Sequence, residues 1–351
     1  MCSAKLTPSN VANIEPPYLA LPAKLWRTAT PQIRERSTAL ADEHNDDDVN
    51  DEIITEEMLW ERIPETQGVD RASTYYELSA RIYARGQYDE ALALAETARD
   101  IYSELGSAAP TEGLAQAYSA IGYNLNQLKR MSEAATAMSK AVELLRENKS
   151  PMALELACTL GEWWFSSKEY QNTIDCMEEC AREHLIDGNE LGAATDFHLI
   201  GCAYRELKKY DQALEAFYEA RKYFKTAREV IHVARCDQKI AHCYTELGDA
   251  ESALAAAQKA VDVFTTAHDH RRLTYASFEL GKAQVLSGEV DEGLNTLERV
   301  LDIAADAEPK DFEFIVAIER RIAEILHTQG RSEEAIEIER RIASISEILE
   351  N

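Results

Sequence analysis

One helix-pair pattern recurs along most of this chain, and a short unit repeated in that way can fold only as a stack of copies. Residues 200–220, IGCAYRELKKYDQALEAFYEA, show the unit. Leu199, Ile200, Ala203, Tyr204 and Leu207 fall at helical spacing on a first helix, and Ala213, Leu214, Phe217 and Ala220 do so on a second. A single hairpin cannot bury both apolar faces, so it needs neighbours. Aligned on the small residue that opens each second helix, the copies fall at Ala91, Ala134, Thr173, Ala213, Ala253, Gly293 and Ala335, at intervals of 43, 39, 40, 40, 40 and 42 residues. No composition break divides residues 70–351, which fits a linear array better than a single core.

The residues inside the copies agree as well as their spacing. First helices carry a large apolar residue and then a small one at Leu78-Ser79, Ile121-Gly122, Leu160-Gly161, Ile200-Gly201, Ile240-Ala241, Leu280-Gly281 and Ile322-Ala323. Ile82, Leu125, Trp164, Tyr204, Tyr244, Gln284 and Leu326 follow in the third slot. Second helices add another small residue at Ala98, Ala141, Cys180, Ala220 and Ala260, from which Val300 and Ile342 depart. Residues 70–351 resemble the tetratricopeptide repeat (TPR) family in a long-period form, since the usual repeat is about 34 residues. The resemblance implies an all-α fold: a TPR-like right-handed α-solenoid of seven helical hairpins, preceded here by an N-terminal extended arm. Gln284 and Gly293 make the sixth copy the least regular.

Residues 1–41 differ in kind. Pro8, Pro16, Pro17, Pro22 and Pro31 block a long helix, and Tyr18, Leu21, Leu25 and Trp26 are apolar anchors, so an extended arm that orders against a surface is expected. Residues 42–69 form an acidic tether and a short capping helix. The run DEHNDDDVNDE, 42–52, is too charged to pack, whereas Met58, Leu59, Trp60 and Ile63 fit a helix over the first hairpin, stopped by Pro64 and Gly68.

A net charge of −26 argues against a nucleic-acid partner and against an anionic membrane surface, both of which need a basic excess. The start, MCSAKLTPSN, lacks a signal pattern and no run is long and apolar enough to span a membrane, so a cytoplasmic location is expected. Seven cysteines scattered through helical patterns read as reduced core residues.

No phosphate loop, nucleophile elbow, metalloprotease helix or paired CxxC is present, so neither catalysis nor a cofactor is expected. Cys176, Cys180 and His184 share one helical stripe and make a weak metal candidate. The plainer reading is a buried thiol beside a helix-end histidine, because Cys180 occupies the small-residue slot.

The TPR resemblance implies a concave groove lined by first helices. Its inferred lining is Tyr76, Tyr83, Tyr123, Asn126 and Phe165 in the early copies, then His198, Arg205, Arg235, Gln238, His242, Lys282 and Arg320. Aromatics supply contact area and cations read carboxylates, a combination suited to a protein or peptide. The competing reading makes these rings inter-repeat packing and these charges solvated. The carboxylate clamp of chaperone-binding TPR proteins is not matched, since Tyr76, Ala80 and Tyr123 stand where its Lys and Asn residues would be.

Ile338, Ile342, Ile345 and Leu349 run at helical spacing to the C-terminus without a polar capping helix after them, so self-association through that helix or through the N-terminal arm is a further expectation. The residues thus point to a non-catalytic protein- or peptide-binding scaffold. The alternatives are a peptide-sensing regulator of the bacterial TPR type and an assembly component whose arm latches onto a neighbouring subunit.

Overall fold

Helices that repeat one apolar face must present it to a neighbour, and a computed structural model shows how each does so. It describes residues 55–350, with side chains to 346. The expected arm with its anchors Tyr18, Leu21, Leu25 and Trp26, and the acidic run 42–52, lie outside the described residues. The described residues contain fifteen α-helices and no strand. They fall into two compact units, Met1–Ser167 and Lys168–Asn351.

The first unit holds α1 (Glu56–Arg62), α2 (Gly68–Ala84), α3 (Tyr88–Leu105), α4 (Thr111–Gln127), α5 (Met131–Glu147) and α6 (Met152–Ser166). Thr55 caps α1, its hydroxyl oxygen accepting the Met58 backbone N–H at 3.3 Å. A 3-10 turn containing Pro64 follows the helix. Leu59 is fully buried beside Leu78, Ile82, Ala91 and Leu94, whereas Met58 and Trp60 stay exposed. Leu59 thus supplies the buried contact of α1 with the first hairpin, and Arg85 Nη1 donates to the Glu56 carboxylate at 2.7 Å beside it.

The second unit holds α7 (Tyr170–Ile186), α8 (Glu190–Glu206), α9 (Tyr210–Thr226), α10 (Val230–Leu247), α11 (Ala250–Thr266), α12 (His270–Leu286), α13 (Val290–Asp306), α14 (Phe312–Thr328) and α15 (Ser332–Glu350). Left-handed residues end many of these helices. Lys208 (φ 57°) sits between α8 and α9, and the next residue's N–H closes back on the Tyr204 carbonyl at 2.9 Å.

Close approach within each pair depends on small residues. All seven residues that open the second helices are buried. In the first pair the Ser79 hydroxyl donates to the Ala91 carbonyl at 2.7 Å. In the fourth pair a Cβ on Gly201 would lie 2.7 Å from the Phe217 ring, so only glycine lets that ring fill the seam. The sixth pair departs as expected, and with a reason: Gly293 and Gly281 face each other, and a Cβ at Gly293 would meet the Gly281 carbonyl at 2.8 Å.

Among the described residues one joint between pairs recurs at least three times. Ala72, Ala98, Tyr102 and Ala117 form it in the first unit; Ala194, Ala220, Phe224 and Cys236, then Ala234, Ala260, Phe264 and Ala276, form it in the second. Each time a ring from the last turns of a second helix is seated among small residues of two successive first helices. Burying a Phe this fully contributes about 2 to 3 kcal/mol. At the far end Ile338 is buried, and Ile342 and Ile345 pack half-buried against the last cluster, so much of the C-terminal stripe serves its own hairpin.

Candidate functional site

Successive first helices touch one another in both units: α2 against α4 in the first, α8 against α10 and α10 against α12 in the second. Within each unit these touching helices carry expected groove residues: Tyr76, Tyr83, Tyr123 and Asn126 in the first, and His198, Arg205, Arg235, Gln238, His242 and Lys282 in the second; Phe165 and Arg320 belong to α6 and α14.

In the first unit the set is largely phenolic. Tyr76, Tyr83, Tyr123, Asn126 and Phe165 are all half-buried. Gln127 Nε2 donates to the Tyr83 hydroxyl at 3.1 Å, and the Tyr83 ring meets Tyr88 edge-on with centroids 5.3 Å apart. Tyr123 meets Trp163 edge-on at 5.5 Å. Burial, followed by Tyr102 and Tyr123, pushes the Tyr76 phenol well above its usual range; burial does the same to Tyr123, which also feels Glu155 and Tyr83. Tyr76, Tyr83 and Tyr123 are therefore close enough to influence one another, and all are neutral donors at physiological pH.

In the second unit the touching first helices carry charge. His198, Cys202 and Arg205 lie along one stripe of α8, Arg235, Lys239 and His242 along one stripe of α10, and Tyr275, Glu279 and Lys282 along one stripe of α12. The His198 ring lies between two thiols, with Nε2 3.9 Å from Cys202 Sγ and Nδ1 3.7 Å from Cys236 Sγ. Burial first, then Arg235, Lys239 and Arg205, hold its imidazole well below the usual pKa, so it is neutral. Arg205 pairs with Glu206. Lys282 is buried, its ammonium 3.0 Å from Glu279 and 3.6 Å from Glu246. His242 Nδ1 is 3.2 Å from the same Glu279 carboxylate. Burial alone would raise the Glu279 carboxyl, but Lys282 and His242 overcome it and hold it far below the carboxylate range. The charge of Lys282 is thus satisfied inside the protein. Gln238 is half-buried on α10, and Arg320 is exposed on α14.

Lys239 was not among the residues the sequence pointed to. It lies beside Cys202 and Arg205 of α8, Arg235 of its own helix and Glu279 of α12, and burial followed by Arg205 lowers its ammonium to about 8. The weak metal candidate gathers differently from its stripe. Cys176 and Cys180 are buried, while His184 Nδ1 turns to the Asp196 carboxylate at 2.7 Å. Among the described residues no helix is long and apolar enough to cross a membrane.

Two models of the tetratricopeptide repeat match this chain, one over residues 71–105 and the other over 115–148, 197–227 and 238–264. Protein KINESIN LIGHT CHAIN-RELATED 1 of Arabidopsis thaliana is 23% identical over 283 residues, which is 77% of this chain and 46% of that protein. The chain therefore spans about half the length of the curated relative it matches. Among solved structures, apo RapI is similar with a TM-score of 0.56 at 16% identity, over 80% of this chain and 98% of that one. NprR in complex with its cognate peptide NprX is similar with a TM-score of 0.51 at 15% identity, over 77% of each chain. At these identities the likeness to both structures is one of fold.

Proposed function

This chain is a tetratricopeptide repeat protein, and from that premise we propose that it is a non-catalytic scaffold that holds a protein or peptide on its first-helix face. The observation that carries this reading is the grouping of half-open polar and aromatic side chains on first helices in mutual contact: Tyr76, Tyr83 and Tyr123 in one unit, Arg205, Arg235 and Lys239 in the other. Rings that present an apolar face and a hydroxyl suit a peptide backbone and its side chains together. The likeness of fold to NprR, solved with its cognate peptide, supports the same reading. Affinity capture with the full chain tests it, beside a variant combining Tyr83→Ala, Tyr123→Ala and Arg205→Ala whose melting curve is unchanged. Partners retained by the natural chain and lost by the variant support the assignment; identical sets of retained proteins overturn it.

The second reading, a peptide-sensing regulator, draws on the likeness of fold to RapI and NprR. It differs in requiring that a captured peptide change the protection of helices outside its own contacts, which hydrogen exchange with and without that peptide measures.

A further inference from the structure

Phe224 and Phe264 are seated in the joints that follow α9 and α11. Forty residues beyond Phe264 stands Ala304, and α13 has no aromatic residue to bring to its joint with α14. Beside that joint α13, α14 and α15 line a cleft of about 600 Å³, with Leu301, Phe312, Ile315 and Ile345 as its apolar walls. Glu319 of α14 also lines the cleft and is only 4% exposed. Its Oε1 accepts the Arg341 Nε–H at 2.9 Å, whereas its Oε2 is buried and accepts no hydrogen bond among the described residues. A buried carboxylate oxygen without a donor carries a desolvation cost that a donor entering the cleft would remove, and a cationic donor does so best. Glu298 and Asp302, exposed on α13, bring the carboxylates of the lining to three, against Lys310 and Arg341. The cleft thus suits a ligand with an apolar body and a cationic head.

The chain itself holds a segment of that composition. Residues 1–41 carry five Lys or Arg against two Glu within a chain of net charge −26, and among them Lys24-Leu25-Trp26-Arg27 places two large apolar side chains between two cations. We propose that this segment docks in the α13–α14–α15 cleft, Trp26 against the apolar walls and Lys24 toward Glu319. Alternate residues of an extended segment share a face, which puts Lys24 and Trp26 on the same side and turns Arg27 to the outer carboxylates. An indole supplies large apolar area at little entropic cost, and an ammonium beside a buried carboxylate makes a charge-assisted bond. Two of the three helices around the cleft are second helices, so this contact goes beyond the first-helix site proposed above.

Fluorescence anisotropy with a labelled peptide of residues 18–34 tests the proposal on the full chain carrying Lys24→Ala and Trp26→Ala, whose own segment is disabled. The peptide binds that variant, and it binds the natural chain more weakly because the resident segment competes. A shuffled peptide of the same composition and charge does not bind. Adding Glu319→Gln weakens binding by about tenfold or more. If that substitution lowers the melting curve, Asp302→Lys gives the same readout from an exposed position, weakening binding by charge reversal with the fold intact. The proposal is overturned if the shuffled peptide binds equally well, if Glu319→Gln and Asp302→Lys both leave the affinity within about twofold, or if the natural chain and the variant bind the peptide alike. None of these results changes what is captured through Tyr83, Tyr123 and Arg205, so this contact and the scaffold reading fail separately.

Discussion

His184 at the end of α7 and Asp196 in α8 are bound side chain to side chain, Nδ1 to Oδ2, at 2.7 Å, with 14% and 5% of the side chains exposed. The bond spans the connection between two helix pairs. The Asp196 hydrogen bond raises the His184 imidazole above its ordinary pKa of 6.5. A group whose folded pKa exceeds its unfolded one contributes stability that is complete below the unfolded value and disappears as pH rises through the folded value. Burial raises the Asp196 carboxyl, so the pair is also lost when that group protonates; Asp196→Asn is therefore expected to lower the melting temperature most between that acid edge and about pH 6.5, with the deficit shrinking at higher pH. Calorimetry of both proteins across this range checks it, and a deficit that grows above about pH 6.5 contradicts the pairing.

Phe264 is fully buried among Ala234, Ala260 and Ala276. Alanine in its place empties a joint walled by methyl groups that cannot move inward, at a cost of about 3 to 5 kcal/mol. In a stacked array the damage is local. Hydrogen exchange is expected to accelerate first in α10, α11 and α12 and later elsewhere.

Gly201→Ala is expected to cost about 1 to 3 kcal/mol, because the new methyl would stand 2.7 Å from the buried Phe217 ring. Adding Phe217→Leu should recover part of the loss. A double-mutant cycle in urea measures that coupling, and strict additivity would show that the two residues do not share the seam.

Lys208 holds a left-handed φ of 57° with a side chain that disfavours it. Lys208→Gly is expected to stabilise by up to about 1 kcal/mol, since relief of the Cβ clash outweighs the extra freedom of the unfolded chain. A rise in melting temperature of the full chain checks this, and a fall would mean that the exposed lysine makes contacts worth more than the strain.

The architecture was legible in the sequence because its cause is periodic. Ala91, Ala213 and Ala253 open second helices at the repeat interval or close multiples of it, and each proves to be fully buried. The face was legible only in part. Reading the same offsets in every copy assumes that neighbouring first helices lie in register, and that reading selected Gln238 and His242 but passed over Lys239. Lys239 stands one position beyond Gln238, outside the chosen offsets, yet its electrostatic neighbours include Cys202 and Glu279. Lys282 misled for another reason: a lysine on a polar stripe looks solvated until Glu279, three residues earlier, is seen to hold it at 3.0 Å in a buried pair. The rings at the joints left a signal that was available but unread, since Phe224 and Phe264 sit forty residues apart, like everything else in this array.

The joints before and after the α10–α11 pair use nearly the same four side chains, Ala-Ala-Phe-Cys in one and Ala-Ala-Phe-Ala in the other. Excising a forty-residue copy between them would seat Phe224 against Ala276, a fit already present one step along. Gene-level duplication or loss of a whole module would then arrive at a ready-made splice, and the number of stacked pairs becomes a quantity that recombination can adjust in single increments.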